Sequence, residues 1–218
     1  MAATGAVLLD LDGTLSDSRS GIVACFRHML VELGHDPLAA GDLTWAVGPP
    51  IAVSVGTLLG NYKDDRVDLG LKTYRARYND VGIYECTAYP GVAEMLAALT
   101  KAGLRLCVAT SKRRDFAERV VDYLDFRTYL PRVYGALPGG GLDDKKDLVA
   151  EILRAEGYAA ATTTMVGDRL HDIHAARSNA LRSIGVLWGY GDAMELQEAG
   201  ADVVVGTPAD VVTCVAGC

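Results

Sequence analysis

Apolar residues along this chain follow two rhythms, and the switches between them mark its parts. Ala6-Val7-Leu8-Leu9 is an unbroken apolar run that ends on Asp10-Leu11-Asp12-Gly13-Thr14. A short run without polar alternation predicts a strand covered on both faces, as in a parallel sheet. From residue 18 the spacing turns helical: Val23, Phe26, Leu30 and Leu33 recur at intervals of three and four, and Gly34 closes the run. Residues 36–60 are looser, with Trp45 and the rigid turn Gly48-Pro49-Pro50. Residues 64–80 place Val67, Leu71, Tyr74 and Tyr78 along one side of a helix. With no strand-like run between 16 and 85, this stretch reads as an all-helical insert.

Tyr89-Pro90-Gly91 marks the return to a regular alternation. Helices are predicted over 92–102, 113–124, 145–156, 170–179 and 193–199, and from 208 onward. Strands are predicted over 104–109, 132–136, 163–166 and 183–187, with an edge strand over 202–205. Strands alternating with helices give an α/β fold: a Rossmann-like parallel sheet with helices on both faces and right-handed crossovers. The expected domains are a core of residues 1–15 and 86–218 and a helical insert of residues 16–85. The glycine run Gly139-Gly140-Gly141 is expected to be flexible.

Charge and cysteine content narrow the function. The chain has 218 residues, 50% of them hydrophobic, and a net charge of -7. That balance argues against a binder of nucleic acid polymers or membrane surfaces that works by bulk charge. Cys25, Cys86, Cys107, Cys214 and Cys218 form no CxxC pair, which fits buried or inert free thiols in a reducing compartment. No basic-flanked leader and no run of about 20 apolar residues is present, so the expectation is a cytoplasmic protein, monomeric or weakly dimeric.

Polar groups gather where strands end, which is where ligands sit in open α/β sheets. Residues i and i+2 of an extended chain point the same way, so Asp10 and Asp12 should project together, with Asp10 as nucleophile and Asp12 as proton donor. The second strand ends in Thr110-Ser111-Lys112, and the fourth in Gly167-Asp168, with Asp172 one helical turn on. Lys145 opens the helix before that fourth strand; Lys146 beside it competes for the same role. Clustered carboxylates repel, and a hard divalent cation such as Mg2+ relieves this. A calcium loop does not fit, because Gly13 is the fourth residue of its motif rather than the sixth. His171 and His174 lack metal-ligand spacing and read as surface or capping residues, and the Tyr74 and Tyr78 stripe reads as core.

Taken in order, Asp10-Leu11-Asp12-Gly13-Thr14, Thr110, Lys145 and Gly167-Asp168-Arg169-Leu170-His171-Asp172 resemble the four motifs of the haloacid dehalogenase superfamily of phosphohydrolases. Ile184-Gly185-Val186-Leu187-Trp188-Gly189-Tyr190-Gly191 and Ala199-Gly200-Ala201-Asp202 look like its phosphoglycolate phosphatase branch. Gly48-Pro49-Pro50 and Ser111-Lys112 are similar to a 5'-nucleotidase-like subgroup. Ala180 departs from the glycine usual in that branch. The resemblance implies that the insert is a mobile cap and that the substrate is a small phosphorylated metabolite, 2-phosphoglycolate or a nucleoside 5'-monophosphate. It implies an aspartyl-phosphate on Asp10 and acid–base work by Asp12. It also implies Mg2+ on Asp10, Asp168 and the Asp12 main-chain carbonyl, and phosphate contacts from Gly13, Thr14, Thr110, Ser111 and Lys112. Lys145 then neutralises charge, and Asp172 orients Lys145 or the metal waters. Arg19, Lys63, Lys72, Arg75 and Arg77 are the insert's candidate anion contacts. Asp12 argues against a dehalogenase. A phosphomutase, or a non-catalytic phosphate-binding or phospho-acceptor protein, remains as an alternative.

Overall fold

A computed structural model describes residues 5–137 and 141–216. Gly139, Gly140 and Cys218, named above, lie outside the described residues. The chain divides into two compact units, Met1–Asp17 with Ala88–Cys218, and Ser18–Thr87.

The larger unit is built on a six-stranded sheet in which every neighbouring pair is parallel. Its strands are β1 (Ala6–Leu9), β4 (Arg105–Arg113), β5 (Arg132–Ala136), β6 (Thr163–Gly167), β7 (Arg182–Val186) and β8 (Val203–Val205), in the order β5-β4-β1-β6-β7-β8. A second, two-stranded sheet pairs β2 (Ser16–Asp17) with β3 (Thr87–Ala88). All four residues of β1 are buried, which is what an apolar run without alternation requires. Burial of each such side chain stabilises the fold by about 1.5–3 kcal/mol.

Five longer helices cover the sheet: α4 (Val92–Lys101), α5 (Arg114–Tyr123), α6 (Lys145–Glu156), α7 (Leu170–Ser178) and α9 (Pro208–Ala216). The short α8 (Ala193–Glu198) joins β7 to β8. Ala6 and Leu8 of β1 share a buried cluster with Leu148, Val149 and Ile152 of α6 and Ala175 and Ala176 of α7. Strand alternation turns Val7 and Leu9 to the opposite face. Helix α4 stands outside that cluster and packs on β4 and α9.

The smaller unit contains α1 (Arg19–Glu32), α2 (Ile51–Asn61) and α3 (Val67–Asp80). Phe26, Met29, Leu58, Leu59, Tyr74 and Tyr78 are buried in it. The Tyr74 and Tyr78 rings stack with centroids 5.8 Å apart, so the aromatic stripe is core, as its spacing predicts. Gly70 lets α3 come close to Val55 and Leu59 of α2 and to Met29 of α1.

Three expectations need correction. Residues 36–60 are not uniformly loose: α2 begins immediately after Pro50. The strand predicted over 104–109 runs on to Arg113, so Thr110, Ser111 and Lys112 are themselves extended. A two-residue strand, β2, lies inside the stretch that reads as purely helical. No helix among the described residues is long and apolar enough to cross a membrane.

Candidate active site

The site is assembled by sheet register. Leu9 at the end of β1 pairs with Val108 of β4 on one side and Val166 of β6 on the other. The residues that follow these strands therefore emerge side by side at one edge of the sheet. The Asp10 N–H donates to Val166 O at 2.9 Å, which carries the ladder one residue further. The chain then folds back at once: the N–H groups of Leu15 and Ser16 both donate to Leu11 O at 2.9 Å. Gly13 makes this turn with φ +90, and a Cβ there would run into the Asp168 carboxylate.

Asp10, Asp12, Thr14, Thr110, Lys145, Asp168 and Asp172 are all buried. Carboxylate oxygens of Asp10, Asp168 and Asp172 lie within 4.8 Å of one another. The Lys145 ammonium sits 2.8 Å from Asp10 Oδ1 and donates to Asp172 Oδ1 at 2.5 Å. Lys146 is exposed, with Asp147 3.8 Å away, so geometry separates the two adjacent lysines. A lysine in a first helical turn opposes the helix dipole. At Lys145 two carboxylates offset that cost, and Asp144 caps α6 by accepting from the Lys146 N–H.

Burial pushes the Asp10 pKa up to about 6, and the Asp172 charge adds to the rise while Lys145 opposes it. Burial likewise raises Asp168 to about 8, reinforced by the charges of Asp10 and Asp172. For Lys145, burial works against the charge, but Asp10 and Asp172 outweigh it and hold the pKa above the ordinary lysine value. One ammonium thus faces three crowded carboxylates, and Asp10 Oδ1 has the ion pair but no well-aligned hydrogen-bond donor. Buried, oxygen-only and short of positive charge, this donor set fits a hard divalent cation.

The remaining predicted residues take distinct places. Lys112 Nζ donates to Asp12 Oδ1 at 2.7 Å, with both side chains nearly buried. Asp12 is thus paired apart from the three clustered carboxylates. Thr14 Oγ1 donates to Asp168 Oδ1 at 3.3 Å. Thr110 Oγ1 accepts from the Lys112 N–H at 3.2 Å; it does not cap a helix, since Arg113 stands at that position of α5. Ser111 is half-buried beside them. His171 is half-buried, and burial followed by the Lys145 charge lowers its pKa, while His174 is exposed. Cys25, Cys86 and Cys107 are buried, and burial raises the Cys107 thiol pKa. In the smaller unit, Arg77 is held by both oxygens of Glu85, at 2.9 and 3.1 Å.

Sequence reasoning gave no structural role to the segment after β7. The Tyr190 N–H donates to Asp168 Oδ2 at 2.8 Å, and Trp188 Nε1 donates to Thr14 O at 2.9 Å. Tyr190 Oη donates to Asp17 Oδ1 at 3.1 Å. A Cβ at Gly189 would collide with Gly13 O and Asp168, and one at Gly191 with Asp168 O. The available signal was two glycines flanking one residue at the carboxyl end of a strand, a pattern that marks close backbone approach.

A family model described as haloacid dehalogenase-like hydrolase matches residues 7–186. The chain is 35% identical over 191 residues to the 5'-nucleotidase of Pseudomonas aeruginosa, covering 88% of this chain and 86% of that protein. It is 36% identical over 200 residues to tyrosine-protein kinase PtkA of Mycobacterium tuberculosis, covering 91% and 67% respectively. To the phosphoglycolate phosphatase of Neisseria meningitidis it is 33% identical over 216 residues, covering 93% and 89%. A solved structure described as a predicted phosphatase from Clostridium acetobutylicum is similar with a TM-score of 0.90 and 28% identity, covering 99% of this chain and 100% of that one.

Proposed function

The chain belongs to the haloacid dehalogenase-like hydrolase family, and from that premise we propose that it is a Mg2+-dependent phosphomonoesterase acting through an aspartyl-phosphate on Asp10. Its substrate is a small phosphorylated metabolite, 2-phosphoglycolate or a nucleoside 5'-monophosphate. The observation that carries the reading is the buried group in which Lys145 bridges Asp10 and Asp172 beside Asp168, at the end of the central strands.

Asp10 attacks phosphorus in line; the Asp10–phosphorus bond forms as the bond to the leaving oxygen breaks. Asp12 gives that oxygen a proton and then takes one from the water that hydrolyses the phosphoenzyme. Thr110 and the backbone N–H groups after Asp12 hold phosphoryl oxygens, and Lys145 keeps the nucleophile ionised and offsets its repulsion from the phosphate. The residues that would hold Mg2+ are Asp10, Asp168 and the main-chain carbonyl of Asp12. When bound, Mg2+ supplies Lewis-acid stabilisation of charge on the phosphoryl oxygens. Asp172 orients Lys145. The helical unit, residues 18–87, serves as the lid that excludes water and selects the substrate.

The test is phosphate release from a panel containing 2-phosphoglycolate and the nucleoside 5'-monophosphates, with and without Mg2+. Turnover that needs Mg2+ and stops in EDTA is expected; robust turnover in EDTA would overturn the reading. One relative carries the name of a kinase, and release to water rather than transfer to a hydroxyl is what this assay scores.

Stability gives an independent check. Asp10 and Asp168 have folded pKa values raised from 3.8 to about 6 and about 8. Between those limits the folded state holds protons that the unfolded chain has lost. Unfolding free energy of the metal-free protein therefore falls as pH rises from 4 to about 8 and then levels off. Mg2+ at millimolar concentration should raise Tm by several degrees at pH 8 and by much less at pH 5, where protons already occupy the site. Equal shifts at both pH values in differential scanning fluorimetry would contradict this.

A further inference from the structure

Each of the two carboxylates in the Asp10-Leu11-Asp12 segment has a lysine ammonium at ion-pair distance, and the two lysines are different ones. Lys145 is held by Asp10 and Asp172, whereas Lys112 donates to Asp12 Oδ1 at 2.7 Å. This second pair is nearly as buried as the first, with side-chain exposures of 8% for Lys112 and 11% for Asp12. A buried lysine is costly unless its charge is paired, and ordering its long side chain adds an entropic cost, so one held this way has a defined geometry. Two features fix its approach. Lys112 lies on β4, the strand beside β1, and its backbone N–H is held by Thr110 Oγ1 at 3.2 Å. Beyond Thr110 the pairing of β4 with β5 shifts register, which places the segment carrying Lys112 at an irregular point of the strand rather than on the regular ladder.

We propose that Lys112 is a positioning residue for Asp12: its ammonium fixes the Asp12 carboxylate for proton transfer rather than gripping the substrate phosphate. The inference rests on the reading of Asp12 as the acid and base of the reaction. The Asp12 charge adds to the forces that raise the Asp10 pKa, so the two carboxylates repel each other, and an acid two residues from the nucleophile needs a separate anchor. Lys112 is that anchor, and it keeps the roles of the two aspartates distinct.

The leaving group separates this role from phosphate binding. Alkyl phosphates need a proton on the departing oxygen, whereas p-nitrophenyl phosphate expels a stabilised phenolate. A residue that acts through the proton donor should matter for the first and hardly for the second. Because kcat/KM covers the steps up to departure of the leaving group, it is the quantity to measure. Lys112→Met should lower kcat/KM on alkyl phosphomonoesters by about 10–100-fold and on p-nitrophenyl phosphate by less than about fivefold, with KM little changed. Lys112→Arg, which keeps the charge, should recover part of the loss on alkyl substrates. In an Asp12→Asn background, Lys112→Met should add no further loss. Equal losses on both substrate classes with a raised KM would assign Lys112 to the phosphate and overturn the proposal, as would no loss at all. If Lys112→Met fails to fold by circular dichroism, Lys112→Arg and Lys112→Gln carry the same comparison. Asp12→Asn alone is the control for the underlying reading. If its losses are not graded by leaving group, the role of Asp12 fails; if they are graded and those of Lys112→Met are not, only the role of Lys112 fails.

Discussion

Asp10→Asn should abolish turnover, lowering kcat on the order of 10⁴-fold or more, while the protein stays folded. The amide is nearly isosteric with the carboxylate but cannot form the phosphoenzyme. The variant separates chemistry from stability because the two respond differently. In the wild type, burial and neighbouring charge press Asp10 toward its protonated form. An amide removes one of the carboxylates that repel Asp168 and Asp172, at the cost of one ion-pair partner for Lys145. The expected unfolding midpoint is therefore close to that of the wild type. Comparing phosphate release with the urea midpoint checks both halves, and a variant that keeps measurable turnover would remove Asp10 from the nucleophile's place.

Lys145→Ala should produce the largest loss of stability of any single change at the site. The ammonium lies within 2.8 Å of Asp10 and 2.5 Å of Asp172, and all three residues are buried. Removing one partner of a buried pair leaves uncompensated charge and costs about 3–5 kcal/mol. For a domain of this size that corresponds to a fall in Tm of about 10 °C. The sign with pH follows from the pKa direction. The Lys145 pKa is raised in the folded state, so its contribution is fully present at pH 7 and is lost only above the ordinary lysine range. Lowering the pH should partly rescue Lys145→Ala, because Asp10, whose pKa burial raises to about 6, then takes up a proton and sheds its uncompensated charge. Adding Asp172→Asn should recover part of the loss at pH 7 through the same relief. Thermal unfolding at pH 5 and pH 7 tests this, and a loss below about 1 kcal/mol at pH 7 would mean that the three groups do not act as a charged unit.

What could be read from the sequence follows the physics of each element. The central strands were legible because strands buried on both faces must be apolar throughout, and the runs lead into polar residues that the structure buries: Asp10, Thr110 and Asp168. Helix α2 was not legible. It begins right after Gly48-Pro49-Pro50 and contains Gly56, Gly60 and β-branched Ile51, Val53 and Val55, all poor helix formers. Packing against α3, with Val55, Leu58 and Leu59 buried, overrides those propensities. Lys145 and Lys146 could not be separated by sequence because neighbours on a helix differ by about 100° in direction, and only the packing of α6 decides which one turns inward. The partner of Lys112 was hidden because the pair joins β4 to the turn after β1, which lies far away along the chain. The hydrogen bond from the Tyr190 N–H to Asp168 leaves no mark on Tyr190 itself, and only the flanking Gly189 and Gly191 signal a close backbone approach there.

The central claim is that Asp10 accepts a phosphoryl group from a small phosphomonoester. Asp12→Asn keeps this nucleophile but lacks the group that serves the leaving oxygen and the hydrolytic water. The variant should therefore still be phosphorylated and should then hydrolyse slowly. Incubated with Mg2+ and an activated aryl phosphate, quenched in acid and digested, it should yield one phosphoryl group on the peptide containing Asp10. The same treatment of Asp10→Asn should yield none. A phosphoryl group found elsewhere in the chain, or on the same peptide in Asp10→Asn, would contradict the account.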